Sequence, residues 1–420
     1  MLLSSPSLTI KIQSVFPSRS SMLILKGEEM GLFEPERCAR EILGQLVRIR
    51  TTQPAGDEKD AVIFLREIFE PFTKEVAVLD HGANRASMIL TMPGRDRGRA
   101  VAVTGHLDTV NVDSEEAWTH APFSAFCDGE RLYGRGAADM KGGVTSIVLT
   151  ALKLFREGFE PSVDVHFCFT ADEEYGGIGA EALCNSGKLD CVAELVVVKP
   201  TDGRVGLAGK GALGLSVRAR GLSAHASRPG QGVNAVEQVS AFARSISALL
   251  RKKGRYPLLG ASTCVVTGLH GSISTNVVPD RAEATFDIRT SPGISHAGLL
   301  DQIHEMARAQ MQKYPPLVLE ITPYLDRPAL GMDGDAPLVR RFVRIFKTLG
   351  LPWETTGITY FTDASVFVPR LGVPFVVIGP GDERFFHQAD EYVTLKAVLQ
   401  SARIFEEYVR TIPGAEDGEG

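Results

Sequence analysis

The sequence predicts a mixed α/β protein, an α/β body interrupted by a smaller α+β insertion. Three observations carry that prediction. Short apolar, β-branched runs alternate with stretches of helical periodicity in both flanks of the chain. Between about 211 and 323 the order of elements changes. Residues able to bind metal or move protons cluster just after the ends of the apolar runs.

From Pro35 onward, Ala39, Ile42, Leu43, Leu46 and Val47 recur at helical spacing, so the fold opens with an amphipathic helix. Runs at 100–104, 163–170, 195–198 and 374–378 read as strands, and Val144, Ile147, Val148, Ala151, Leu152 and Phe155 mark a helix between the first two. The middle third reads strand, helix, strand, strand, helix, strand: 213–219, a face of Val236, Val239, Ala243, Ile246 and Leu250, then 264–269, 282–288, 299–311 and 317–321. That order suits a ferredoxin-like domain inserted into the first. A helix over 338–346 and the strand at 374 return the chain to α/β character. The expected division is a body of 31–210 with 324–412, an inserted domain of 211–323, an extension over 1–30 and a flexible tail over 413–420.

A chain of 420 residues with 44% hydrophobic and 23% charged residues suits two packed domains. Its formal net charge of -6 leaves no electrostatic footprint for nucleic acid. Six cysteines without a CxxC pair indicate neither a zinc ribbon nor a disulfide framework, so a reducing cytoplasm is the expected compartment. The first 30 residues hold seven serines and no acid before Glu28. Their apolar runs are too broken for a secretory core or a membrane helix, and Met22 or Met30 is an alternative start.

Three segments carry the chemistry: Gly105-His106-Leu107-Asp108-Thr109-Val110, the glycine-rich turn around Asp139, and Asp172-Glu173-Glu174. His106 and Asp108 follow a strand, and two side chains one residue apart on extended backbone can point the same way. The imidazole can then bind metal while the carboxylate fixes its tautomer. Glycines around Asp139 let the backbone turn sharply, and one carboxylate can bridge two cations about 3.5–4 Å apart. No GxxxxGK[ST] pattern is present, which argues against a nucleotide loop. Of the adjacent Glu173 and Glu174, one can ligate metal while the other faces an attacking water. Lys199 and His387 also follow strands, and in open α/β sheets the functional crevice lies at the carboxyl ends of strands. In the insertion, His225, Asn276 and Arg289 are candidates for oxyanion and carboxylate recognition.

Together, GHLDTV, GRGAADMKGG, DEEYGG, GLSAHASRPGQGVNA, STNVVPDRAEATFDIR, the Thr362-Asp363-Ala364 segment and HQADEYV resemble the superfamily of co-catalytic zinc hydrolases that includes acetylornithine deacetylase, succinyl-diaminopimelate desuccinylase, carboxypeptidase G and the aminoacylases. The resemblance runs from about 35 to 412. It implies an aminopeptidase-type catalytic domain and an inserted lid that dimerises. It implies His106 as ligand of one zinc, Asp139 as the bridge, and Glu174 with His387 on the other, cobalt or manganese being alternative ions. It further implies Asp108 as the residue orienting His106 and Glu173 as general base. His225 would complete the partner subunit's site, with Asn276, Arg289 and Thr362 on the substrate, and a non-proline cis peptide would follow Asp139. The substrate would be an N-acyl amino acid or small peptide.

Lys199 departs from that pattern. Relatives carry an acid just before the Pro-Thr turn, completing the zinc site shared with His106, whereas an ammonium is a poor ligand and repels a cation. Asp202, three residues on, is the nearest acidic substitute. Two expectations follow: an amidohydrolase with at most one tightly held ion, or a family member that keeps the pocket but binds a similar ligand or catalyses a non-hydrolytic reaction.

Overall fold

The computed structural model describes residues 33–414 apart from 272 and 273, so the expected extension over 1–30 and the tail from 415 lie outside the described residues. The elements run α1 (Pro35–Arg48), α2 (Glu58–Phe69), β1 (Val76–Gly82), β2 (Arg85–Met92), β3 (Asp96–His106), β4 (Arg131–Tyr133), α3 (Gly142–Arg156), β5 (Val163–Thr170), α4 (Ile178–Asn185), β6 (Val192–Val197) and β7 (Val205–Gly209). Next come β8 (Gly211–Arg220), α5 (Ala235–Arg251), β9 (Arg255–Tyr256), β10 (Gly260–Ala261), β11 (Thr263–Gly271), β12 (Arg281–Thr290), α6 (His296–Lys313) and β13 (Val318–Arg327). The chain closes with β14 (Leu330–Gly331), α7 (Pro337–Leu349), β15 (Thr355–Ile358), α8 (Ala364–Leu371), β16 (Phe375–Val377), β17 (Tyr392–Thr394) and α9 (Leu395–Arg410).

The large sheet has the order β1-β2-β5-β3-β6-β16-β7-β14, with β15 paired to β7. Its centre is parallel: β3 pairs with β5 and β6, and β6 with β16. Alternation along the strands builds two cores. Val101, Val103, Val165, Phe167 and Val196 face one side, against α1, α3 and α9. Ala100, Ala102, Cys168, Leu195 and Val197 face the other, against Ala180 and Leu183 of α4 and Phe367 of α8. All eight residues of β5, Asp164 and His166 included, are buried, as suits a central strand covered on both faces. Helix starts follow ordinary chemistry: α1 and α7 begin with proline, whose fixed φ suits the first turn. Asn234 caps α5 by accepting the N–H groups of Val236 and Glu237.

The expected insertion is present as a four-stranded antiparallel sheet, β11-β12-β8-β13, with α5 and α6 packed on it. Leu213, Leu215, Val217 and Ala219 alternate inward to meet Val239, Phe242, Ile246 and Ile303. Edge strand β11 leaves Val265, Val266 and Leu269 exposed. No helix among the described residues is long and apolar enough to cross a membrane.

Candidate metal centre and cleft

Four parallel strands deliver the site. β3 ends at His106, β5 at Thr170, β6 at Val197 and β16 at Val377, and the first three lie in adjacent register, His106 beside Thr170 and Thr104 beside Val197. The loops beyond them therefore open at one edge of the sheet, where His106, Asp108, Glu173, Glu174, Lys199 and His387 converge. Asp139 comes from the turn before α3, reached through Gly136 at φ +81, and a cis peptide links Asp139 to Met140, as the resemblance implied. Gly379 follows β16 so closely on the Lys199 backbone that a Cβ would stand 2.7 Å from the Lys199 carbonyl oxygen. Only a glycine lets these two loops touch there.

Asp139 is the hub. Its Oδ1 lies 2.6 Å from Lys199 Nζ and 3.2 Å from His106 Nε2, and its Oδ2 lies 3.5 Å from His387 Nε2. Glu173 Oε2 is 3.4 Å from Lys199 Nζ and 3.5 Å from His106 Nε2, and Glu174 Oε1 is 3.2 Å from His387 Nε2. Lys199, Asp139, Glu173 and His106 are all buried, whereas His387 is open to the cleft.

Asp108 adjoins the His106 imidazole through two of its groups. The nearest group to His106 Nδ1 is the Asp108 backbone oxygen at 3.0 Å, the carboxylate standing at 3.5 Å. That carboxylate accepts the backbone N–H groups of Glu173 at 3.0 Å and Glu174 at 3.1 Å, and a bond of 2.8 Å from Gln53 Nε2. It thus fixes the backbone that aims both glutamates as well as adjoining the imidazole.

The charges follow from burial and neighbours. Burial works against the Lys199 charge, but Asp139, Glu173 and Glu174 hold its ammonium well above the usual lysine range. Burial would raise Asp139, yet Lys199, His106 and His387 keep it well below the usual carboxylate range. Burial pushes Glu173 up to about 8 against the pull of Lys199 and His106. For His387 burial opposes the charge, and hydrogen bonding to Asp139 and Glu174 carries it up to about 10.

Two groups of side chains have ligand atoms within 4.8 Å of one another: Asp139, Glu174 and His387, and His106, Glu173 and Glu174. The first fits one divalent ion, with two carboxylates and an imidazole around an accessible edge. Loading it requires release of the His387 proton. The second does not fit an additional ion in the same way. The Lys199 ammonium already sits on the oxygen of Asp139 that His106 faces, and on the nearer oxygen of Glu173. At about 4 Å such a charge opposes each unit of incoming positive charge by about 4 kcal/mol in surroundings of intermediate polarity.

The cleft over this cluster has a volume of about 470 Å³, and Arg289 lines it together with Tyr360, Phe361 and Phe386. His225 and Asn276 lie elsewhere, exposed on the insertion, where the Ala226 N–H donates to the Asn276 carbonyl at 2.9 Å and His225 Nδ1 is 2.8 Å from Ser227 Oγ. Thr362 is buried, its Oγ1 accepting the Ala364 N–H at the start of α8. Asp202, at φ +54, gives its N–H to Gly381 and belongs to neither metal group.

Several supporting residues escaped the sequence reading. Gln53 Nε2 also donates to Asp172 at 3.1 Å, and Arg85 bridges Asp172 and the fully buried Glu58. Glu391 accepts the N–H groups of Ala138 and Asp139 at 3.0 and 3.1 Å while pairing with Arg135. Its place in HQADEYV was a usable signal, whereas Gln53, Glu58 and Arg85 carry no local pattern.

Comparison with known proteins agrees with this geometry. Residues 102–411 match the model of peptidase family M20/M25/M40. A probable succinyl-diaminopimelate desuccinylase of Staphylococcus aureus (strain MSSA476) is 25% identical over 397 residues, covering 87% of this chain and 95% of its own. An acetylornithine deacetylase of Aliivibrio fischeri (strain MJ11) is 29% identical over 363 residues, covering 83% and 91%. Among solved structures, an M20 metallo-carboxypeptidase from Sulfolobus solfataricus superposes with TM-score 0.71 at 18% identity, over 88% of this chain and 97% of that one. A dinuclear metal-binding M20 peptidase from Bacillus subtilis does so with TM-score 0.68 at 17% identity, over 90% and 99%.

Proposed function

Because the chain belongs to peptidase family M20/M25/M40, whose members hydrolyse amide and peptide bonds, we propose that it cleaves the amide bond of an N-acyl amino acid or small peptide at a centre holding one divalent ion, zinc foremost. The observation that carries the reading is the proximity of Asp139, Glu174 and His387 to one another, with Glu173 beside them in an open cleft. Asp139, Glu174 and His387 would hold a divalent ion there, which would supply polarisation of a carbonyl and a more acidic nearby water. Glu173 takes the proton of the attacking water as its oxygen adds to the carbonyl carbon. The carbon–nitrogen bond then breaks as the same carboxyl returns the proton to the departing nitrogen, leaving a carboxylate and an amine. Lys199 and His106 pull Glu173 toward the ionised form that this step needs, against the burial that raises it to about 8.

Arg289 is the group for the substrate carboxylate, its Nε and Nη2 now engaged by Asp287 at 2.7 and 2.9 Å. Substrate exchanges one carboxylate for the other. His225 acts in trans, which its exposed position on the insertion and the apolar edge of β11 support: a second copy adding its β11 edge would cover Val265, Val266 and Leu269. Six free cysteines support a reducing compartment.

Turnover of a panel of N-acyl amino acids and dipeptides with zinc, cobalt or manganese tests the hydrolase. Elemental analysis of protein loaded with excess zinc is expected to find about one ion per subunit, and Lys199→Glu to raise that number. Two ions in the unmodified protein would overturn the single-ion centre. A second reading, a protein that keeps the pocket but has lost ordinary hydrolysis, is favoured by the Lys199–Asp139 pair alone, and binding without turnover across the panel would select it.

A further inference from the structure

The cleft is lined by charged groups, most of them already paired, and by three aromatic rings. Lys199 is neutralised by Asp139 and Glu173, and among the described residues Arg289, now held by Asp287, is the cation left for the substrate's amino-acid carboxylate. Glu383 lines the same cleft with its side chain exposed, adding negative charge. A second carboxylate on the substrate therefore finds no free cation there and meets a like charge.

Tyr360, Phe361 and Phe386 are its aromatic lining, beside Val110 and Thr359. Tyr360 and Phe386 meet edge to face with centroids 5.3 Å apart at 89°, and Phe386 meets the His387 ring at 5.3 Å and 71°. The Tyr360 hydroxyl donates to the Pro200 carbonyl at 2.6 Å, which fixes the ring and removes its polar end from the cleft. Lys199 stands 5.7 Å over the Tyr360 face and Arg289 5.9 Å over that of Phe361. The rings thus run from Lys199 to His387, the two groups that flank Asp139.

We infer that the cleft takes a substrate with an uncharged, planar aromatic group beside the scissile amide, and that Phe386 determines this specificity. Offset and edge-on aromatic contacts reward such a group beyond its area, and an acetyl group leaves much of a 470 Å³ cleft unfilled. The inference deepens the amide-hydrolase reading, using it only to place the reacting carbonyl.

Calorimetric titration of zinc-loaded Glu173→Gln protein with N-benzoylglycine, N-acetylglycine and N-succinylglycine tests it without turnover. The benzoyl compound is expected to bind about tenfold more tightly than either other, the scale of one ring buried against aromatic faces. Phe386→Ala is expected to reduce that preference to about twofold or less. If that variant does not fold by circular dichroism, Phe361→Leu in the same background is expected to weaken the preference at least threefold, about 0.6 kcal/mol. Equal affinities, tighter binding of the succinyl compound, no detectable benzoyl binding, or a preference unchanged in the folded variant would overturn the inference. Benzoyl selectivity in a protein that hydrolyses nothing would sustain it while removing the hydrolase reading.

Discussion

At the scale of single residues, the centre turns on which carboxylates are shared. Glu174 lies against His387, while the neighbouring Glu173 is turned to Lys199 and His106, so adjacent residues meet different partners. Glu173→Gln is expected to keep fold and metal content while lowering turnover at least about 100-fold, measured as kcat beside elemental analysis. Unchanged kcat would remove Glu173 from proton transfer. His106 and the glutamate pair were legible because each sits in a short motif after an apolar run, and Asp139 because it sits in a glycine-rich turn before a helix. The network of Gln53, Glu58, Arg85 and Asp172 was not, since it joins residues up to 119 apart in the chain. A glutamine before a proline announces nothing until the fold sets it beside Asp108.

At the scale of elements, the strands read from the sequence overlap those observed, β5 to its ends, while β13 runs on to Arg327 and β2 passed unread. Half-exposed β1 shows weak alternation, and β7, Val-Gly-Leu-Ala-Gly, carries glycines that strands usually avoid, so both passed unread. Strand β5 also contains His166, whose Nδ1 lies 3.0 Å from Thr91 Oγ1 on β2. Burial holds that imidazole below its ordinary range, with Asp164 opposing and Arg97 assisting. The unfolded chain binds this proton more readily than the folded one, so stability falls as pH drops below about 6.5 toward the lowered folded value. His81 on β1 is shifted in the same direction, chiefly by burial. Melting temperatures between pH 7.5 and 5.5 should therefore fall less steeply in His166→Gln than in the unmodified protein, with a residual slope. Parallel slopes would show that neutral His166 plays no part in acid stability.

At the scale of the whole molecule, the insertion was readable from its strand and helix order, and the sheet β11-β12-β8-β13 has the arrangement that order implied. Of the insertion's three candidates only Arg289 lines the cleft of its own subunit, while His225 and Asn276 lie away from it. If His225 serves the partner, mixing inactive His225→Ala with inactive Glu173→Gln protein should restore activity, since one of the two sites in a mixed dimer has both groups intact. A fully active monomer in sedimentation analysis would exclude that arrangement. The Lys199–Asp139 pair has a consequence for how the whole enzyme responds to its surroundings. A positive charge carried on a side chain cannot be diluted away or chelated, so half of the charge balance around Asp139 is independent of the free-ion concentration. Rate against free metal should then trace a simple hyperbola with a Hill coefficient near ~1, whereas two coupled ion sites can steepen the curve toward ~2. With a single-ion centre, activity under ion scarcity would be governed by one affinity instead of the product of two.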